Sequence, residues 1–329
     1  MIILNKEEMK RAVTMKEAVN LASEALRLYT TGKSNIPLRT GINIEKSNGN
    51  ALFMPGYVDE IHAAGIKIVS IFPNNHKIGL PAVPASMILL DANTGVVSAV
   101  MDGTYLTQLR TGAVAGCATE LLSRKDSKIM ALIGTGGQAK AQVEAVLSVR
   151  NIEEIKVFDL SNDEAEAFAS MLRYELKDFQ GNIKTSKTSF ECIEDADIIT
   201  TVTTSKIPTF DGSKVKLGAH INAMGSYTPD SRELDEVILD RASLIYLDTL
   251  DGVLSEAGDF IIPMENNRFS KEKITGELGE LILSKTKSRE DENQITVFKS
   301  VGTAVLDIVT AKGIYEKAKN MNMGREVTL

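Results

Sequence analysis

The chain has little of what metalloproteins, disulfide scaffolds and nucleic-acid binders depend on. Its 329 residues contain only two cysteines, Cys117 and Cys192. They lie far apart with no C-x-x-C spacing, so both read as small apolar core residues. Three histidines, His62, His76 and His220, show no ligand spacing, which predicts no metal site and leaves any chemistry to other groups. Lys and Arg number 37 against 44 Asp and Glu, a net charge of −7, and no basic run exceeds a few residues. That balance argues against nucleic acid and anionic membrane as partners. No stretch approaches the ~18 apolar residues of a membrane span. The first residues, MIILNKEEMKRA, are too soon charged for a secretory signal, so the expected compartment is the cytoplasm. Internal repeats and low-complexity linkers are also lacking.

What remains is a chain with 43% hydrophobic residues, enough for a sizeable core, and of a length that suggests two domains. Its most informative stretch is residues 129–160. Ile129 to Ile133 is a short apolar run halted by Gly134, as expected of a parallel strand buried on both faces. Gly134, Thr135, Gly136, Gly137, Gln138 and Ala139 follow in the order G-x-G-x-x-A. The first glycine permits a tight turn, the second lets backbone approach a pyrophosphate, and the third small residue allows close helix–strand packing. A helix from about Gln138 to Val149 would aim its N-terminal amides at the phosphates. A second strand, Ile155 to Phe158, ends at Asp159, about 20 residues past the turn, where a carboxylate accepts from an adenosine ribose and repels a 2′-phosphate. The order strand, turn, helix, strand, acid predicts a dinucleotide site that favours NAD(H), with NADP(H) as the alternative. Ser161 and Asn162 follow Asp159 and compete with it as caps of the next helix, around Asp163 to Leu172.

More than a hundred residues precede this unit and must form a body of their own. A helix is predicted over Met15 to Tyr29, capped by Thr14. Strand-like segments follow at Leu38 to Ile44, Asn50 to Pro55, Ala63 to Phe72, Ala85 to Asp91 and Gly95 to Met101, with turns at Asn48-Gly49 and Asn93-Thr94-Gly95. This describes an α+β domain with a mostly antiparallel sheet. Tyr105 to Arg124 is rich in small residues, suited to a helix packed closely at a domain junction. From about 128 to 290, IMALI, IKVFDL, IITTVT, HINAMG and LIYLD alternate with helices at Rossmann spacing. The tail, Ile295 to Asn320, ends in a helix expected to return to the N-terminal domain. The fold expected is α/β, a Rossmann dinucleotide-binding domain at residues 119–294 inserted into an α+β substrate-binding and dimerisation domain made of 1–118 and 295–329.

Three cations stand in apolar or small-residue surroundings where an unpaired charge is costly. An anionic ligand would relieve that cost. Lys67, between Ile66 and Ile68, either faces such a ligand or is turned outward by strand alternation. Arg110 reads as opening a helix, where its charge opposes the dipole unless an anion sits nearby. Arg39, taken alone, is no different from a surface arginine on an edge strand.

The segments IPLRTGI, LFMPGY, AAGIKIVSIFPNN, GLPAVPASMILLDANTG, LTQLRTGAVAG, ALIGTGGQAKAQ, GAHINAMG and VFKSVGTAVLDI give the chain a resemblance, nearly end to end, to the ornithine cyclodeaminase / mu-crystallin family. The resemblance implies a homodimer and a small amino or imino acid substrate whose carboxylate is held by Arg39, Lys67 and Arg110, with Lys67 available for proton transfer. Thr111 and Asn75 lie beside these groups in the family motifs, Thr111 on the cofactor side. Around the nicotinamide it implies Thr203, Thr204 and Ser205, then Ala223, Met224 and Gly225, then Ser300, Val301 and Gly302. One departure bears on the reaction. Cyclodeaminases of the family continue NA-x-G with Gly-Asp, whereas here Ser226 and Tyr227 follow, and a phenol of pKa about 10 cannot replace a carboxylate base. Tyr227 therefore reads as a substrate contact. The form resembles the branch that reduces cyclic ketimines such as Δ1-pyrroline-2-carboxylate. The expected activity is NAD(P)H-dependent reduction of a small cyclic α-imino acid. Ornithine cyclodeamination, alanine-dehydrogenase-like oxidative deamination and a non-catalytic binding role are the alternatives.

Overall fold

The computed structural model describes residues 1–328, with the side chain of His76 outside the description. The chain forms two compact units, residues 1–113 with 303–329, and residues 114–302. The first changeover falls inside the helix Gly103–Leu122, in the small-residue segment expected at a junction. The strand Thr296–Lys299 pairs with strands of the second unit, whereas the sequence reading grouped it with the tail. Among the described residues no helix is long and apolar enough to cross a membrane.

The first unit is built on an eight-stranded sheet. Its order is Arg325–Glu326, Ile2–Leu4, Val97–Asp102, Ala85–Asp91, Ala63–Ile71, Gly49–Val58 and Ser34–Asn35, with Thr40–Ile44 also pairing to Gly49–Val58. The pairs are antiparallel except Ile2–Leu4 with Val97–Asp102. The helix Met15–Thr30 starts where Thr14 and Glu17 cap each other's backbone amides, and buries Ala18, Val19, Ala22, Ala25, Leu26 and Leu28. That i, i+3, i+4 stripe packs against the tail helix Ala304–Asn320, which also lies on the strands Gly49–Val58, Ala63–Ile71 and Ala85–Asp91. The tail's return is a matter of burial: Val305, Leu306, Ile308, Val309 and Ala311 are buried in a helix held between Met15–Thr30 and one face of the sheet. Removing such a face from water is worth roughly 25 cal/mol per Å² of apolar surface.

The second unit holds an all-parallel, eight-stranded sheet in the order Asn182–Thr185, Glu154–Phe158, Ile129–Ile133, Ile198–Thr201, His220–Ala223, Thr296–Lys299, Leu244–Leu247 and Gly276–Glu277. Its middle strands are buried throughout, polar Thr200, Thr201, His220 and Asn222 included, because helices cover both faces of such a sheet. Chain order runs outward one way from Ile129–Ile133 and the other way from Ile198–Thr201, except that Thr296–Lys299, the last in sequence, is inserted between His220–Ala223 and Leu244–Leu247. The crevice beyond their carboxyl ends is the topological switch point, where open α/β sheets bind ligands.

Candidate functional site

Each unit carries one cluster of the residues singled out in the sequence. In the first unit strand alternation decides Lys67. The strand Ala63–Ile71 buries Ala63, Gly65, Lys67 and Val69 on the face under the tail helix, so Lys67 points inward and is 1% exposed. The neighbouring strands place Met54 and Met87 directly opposite it, both buried. The relief of its charge comes from the protein itself. Lys67 Nζ donates to Asp307 at 2.8 Å, and Arg110 Nε donates to the same carboxylate at 3.0 Å. Asp307 is fully buried in the tail helix. Burial first, and then the Arg110 charge, lower the Lys67 pKa to about 7, while Asp307 opposes the shift and Arg39 adds to it.

Two expectations change here. Arg110 does not open a helix. The helix Gly103–Leu122 begins seven residues earlier, so its dipole no longer demands a ligand; Arg110's anion is Asp307. Asp307 itself, 240 positions from Lys67, was missed, although an aspartate amid the apolar run AVLDIV is a visible signal of a buried partner. Thr111 is buried beside Arg110 in the first unit. Asn75 caps its own loop, its Nδ2 donating to Pro81 O at 2.9 Å.

In the second unit Gly134 ends its strand with φ +98°, and a Cβ there would lie 2.8 Å from Thr203 Cγ2 and 2.9 Å from Val202 O. Only glycine passes between these two strand ends. Around Gly136, by contrast, nothing lies within 4 Å of a built Cβ, the free space that backbone approach to a pyrophosphate needs. The following helix is Ala139–Val149, with Gln138 at its N-cap and no side-chain cap bond, so no side chain competes with an anion for its first amides. Gly137 completes this turn. Asp159 stands at the end of Glu154–Phe158 and accepts from Thr135 N and Oγ1 at 3.0 and 2.8 Å. Ser161 caps the next helix through Glu164 N, which leaves Asp159 on the glycine turn. These residues fit an adenine dinucleotide: an open turn, an uncapped helix start and a carboxylate at the ribose position.

Along the same carboxyl edge Thr201 is level with Ile133 and Ala223, and Ala223 with Lys299. The segments 203–205, 223–225 and 300–302 therefore leave adjacent strands at one height. Ser205 bonds within its own loop, to Ile207 O, and Thr204 is exposed. Met224 is buried, and Tyr227 is half-buried against the apolar cluster of this unit. Buried carboxylates that sequence reading passed over hold these segments. Asp248 accepts from Ser300 Oγ, Val301 N and Gly302 N at 2.6, 3.1 and 2.8 Å. Glu233 binds the other two segments. Among the described residues no group of three or more His, Cys, Asp or Glu is arranged to hold a metal ion.

Known proteins are similar to this chain in sequence and in fold. The profile of the Ornithine cyclodeaminase/mu-crystallin family matches residues 1–322. The Δ1-pyrroline-2-carboxylate reductase of Bacillus cereus is 36% identical over 99% of both chains. The structure of the Thermococcus litoralis Δ1-pyrroline-2-carboxylate reductase in complex with NADH and L-proline is 41% identical, with a TM-score of 0.94 over 99% of this chain and 100% of that one. An archaeal alanine dehydrogenase dimer with bound NAD is 35% identical, with a TM-score of 0.91 over 100% and 99%. With its profile matched almost from end to end, the chain belongs to the ornithine cyclodeaminase/mu-crystallin family.

Proposed function

We propose that the chain is an NAD(H)-dependent reductase of a small cyclic α-imino acid of the Δ1-pyrroline-2-carboxylate type. The observation that carries the reading is the buried Lys67, held by Asp307 beside Arg110, in a chain that also has the open glycine turn with Asp159. Relatives described as reductases of this substrate, one of them with NADH and proline bound, support it.

The roles follow from charge. Lys67 and Arg110 share the single carboxylate of Asp307, and a substrate carboxylate would add a second anion beside them. Asp307 takes Arg110 Nε, and the terminal nitrogens of Arg110, with Arg39, form the fork for the substrate. Lys67, with a pKa of about 7, is poised to protonate the imine nitrogen near neutral pH and so make its carbon electrophilic. Gly134, Gly136, Gly137, Gln138, Ala139 and Asp159 would hold the adenosine diphosphate half of NADH. The segments 203–205, 223–225 and 300–302 would hold its nicotinamide half. When bound, NADH supplies the hydride. Tyr227 would contact the substrate, and Thr111 the cofactor. In this reading the first unit is the substrate-binding and dimerisation domain.

A homodimer is the proposed assembly. The strand Thr40–Ile44 is exposed along its length, with Ile42 51% and Ile44 36% accessible, an apolar edge of the kind that pairs with another chain. A single peak at dimer mass in light scattering is the expected result. A cytoplasmic location, where NADH is regenerated, goes with this activity.

A second reading, alanine-dehydrogenase-like deamination, draws on the archaeal alanine dehydrogenase at 35% identity. Stoichiometry separates the candidates. With Δ1-pyrroline-2-carboxylate, one NADH should disappear per proline formed. NAD+ reduction with alanine favours the second reading, and ammonia from ornithine without net NADH change favours cyclodeamination.

A further inference from the structure

Glu233 plays no part in the chemistry just described, yet its position in the second unit is unusual. It is fully buried, and its carboxylate is shared between two loops. Oε1 accepts from Thr203 N at 2.6 Å and Thr203 Oγ1 at 2.8 Å, in the loop after Ile198–Thr201. Oε2 accepts from Gly225 N at 2.7 Å and Ser226 N at 3.2 Å, in the loop after His220–Ala223. Three of these four donors are main-chain amides, whose hydrogens cannot be redirected. An acceptor-only group is therefore required, and the amide of glutamine would face one pair of donors with a donor of its own. The loops approach so closely that a Cβ on Gly225 would lie 2.2 Å from Thr203 O and 2.6 Å from Glu233 Oε1.

Glu233 is itself fixed from behind. Asp259 Oδ1 accepts from Glu233 N and Leu234 N at 2.6 and 2.9 Å. Asp259 Oδ2 pairs with Lys299 Nζ at 2.7 Å, both side chains fully buried. Lys299 ends the strand next to His220–Ala223 and precedes the segment 300–302 that Asp248 holds. Charge-assisted bonds together with one buried ion pair therefore link the ends of three adjacent strands. Burying a carboxylate is costly, and here the cost is met by the four donors of the two loops.

We infer that Glu233 is a positioning residue for the nicotinamide end of the dinucleotide, locking segments 203–205 and 223–225 to one another so that they present a single preformed surface. The inference rests on the cofactor reading of those two segments. Preformed contacts of this kind bind without an ordering cost. Loosening them should weaken the nicotinamide half of the site, while the adenosine diphosphate half keeps the open turn at Gly136 and the Asp159 carboxylate, neither of which bonds to Glu233.

The test compares two ligands on the full chain: NADH, and ADP-ribose, which lacks the nicotinamide ring. In Glu233→Gln the affinity for NADH should fall about tenfold, the loss expected from one broken charge-assisted bond, while the affinity for ADP-ribose stays within twofold. The KM for NADH should rise and the KM for the imine hold. Glu233→Asp, which keeps an acceptor-only group, should recover part of the NADH affinity. If Glu233→Gln does not fold, Glu233→Asp, whose shorter reach cannot serve all four donors, is read against the wild type with the same two ligands. Equal weakening of NADH and ADP-ribose, or no change in either, overturns the inference. Wild-type protein that binds NADH but reduces no imine would refute the proposed reaction while leaving the Glu233 comparison decisive. Wild-type protein that binds ADP-ribose and NADH equally overturns the nicotinamide role of these loops and Glu233 with it.

Discussion

An ammonium group taken out of water beside other cations tends to give up its proton, and Lys67 is held near that point. Burial and Arg110 depress its pKa to about 7, and Asp307 keeps it from falling further. Reduction needs the protonated form. The expected kcat/KM for the imine is level at low pH and falls about tenfold per unit above pH 7, while the reverse oxidation, which needs the neutral amine, rises through the same range. A pH–rate profile in both directions checks this. Asp307→Asn removes the counter-ion and leaves two buried cations, so the falling limb should move to lower pH and stability should drop by about 3–5 kcal/mol, measurable by denaturant unfolding. At this scale the sequence was half legible. The apolar context of Lys67 and Arg110 showed that a charge had to be answered, but its answer lies 240 positions away from Lys67. No local pattern specifies a partner across that distance.

Local pattern succeeded best for elements whose ends are decided locally. The helix Met15–Thr30 was readable because Thr14 and Glu17 form its cap, and the glycine turn because Gly134 must adopt a positive φ. The rivalry between Asp159 and Ser161 resolved for a similar reason: Ser161 reaches Glu164 N, and Asp159 reaches back to Thr135. With its charge removed, Asp159→Ser should lose roughly tenfold of the preference for NADH over NADPH that the proposed function expects, read as the ratio of the two kcat/KM values. Where Arg110 misled, the fault lay in the helix start: the cap is Asp102, whose carboxylate accepts from Tyr105 N at 2.9 Å, and it stands at the end of a strand. His220 was also opaque. Burial and then Arg289 lower its pKa to about 3, and the ring bridges Thr296 Oγ1 and Asn222 Oδ1 at 2.9 and 3.1 Å. A histidine kept neutral in the fold but free to charge above pH 3 when unfolded costs stability as pH falls from 6.5 to 3. The second unit should lose about 1.4 kcal/mol per pH unit through that window from this residue alone. Thermal melts at pH 7 and pH 5 should show the loss, and a His220→Gln variant should show less of it.

For the molecule as a whole, the mid-chain position of the glycine turn points to an inserted nucleotide unit; residues 114–302, which carry that turn, form one compact unit, and the segments on either side form the other. What the periodicity of the tail could not tell is that Thr296–Lys299 belongs to the nucleotide sheet while Asp307, eight residues after Lys299, belongs with Lys67. Removing residues 303–329 should therefore abolish the imine activity and expose the apolar face beneath the tail helix, giving aggregated protein in gel filtration. The central claim is that Lys67 supplies the proton in a net reduction by NADH. The direct measurement is NADH oxidation with Δ1-pyrroline-2-carboxylate for the wild type and Lys67→Ala, alongside NADH binding by fluorescence. The account predicts one NADH consumed per proline in the wild type, and NADH binding without measurable turnover in the variant. A Lys67→Ala enzyme that reduces the imine at the wild-type rate would contradict it.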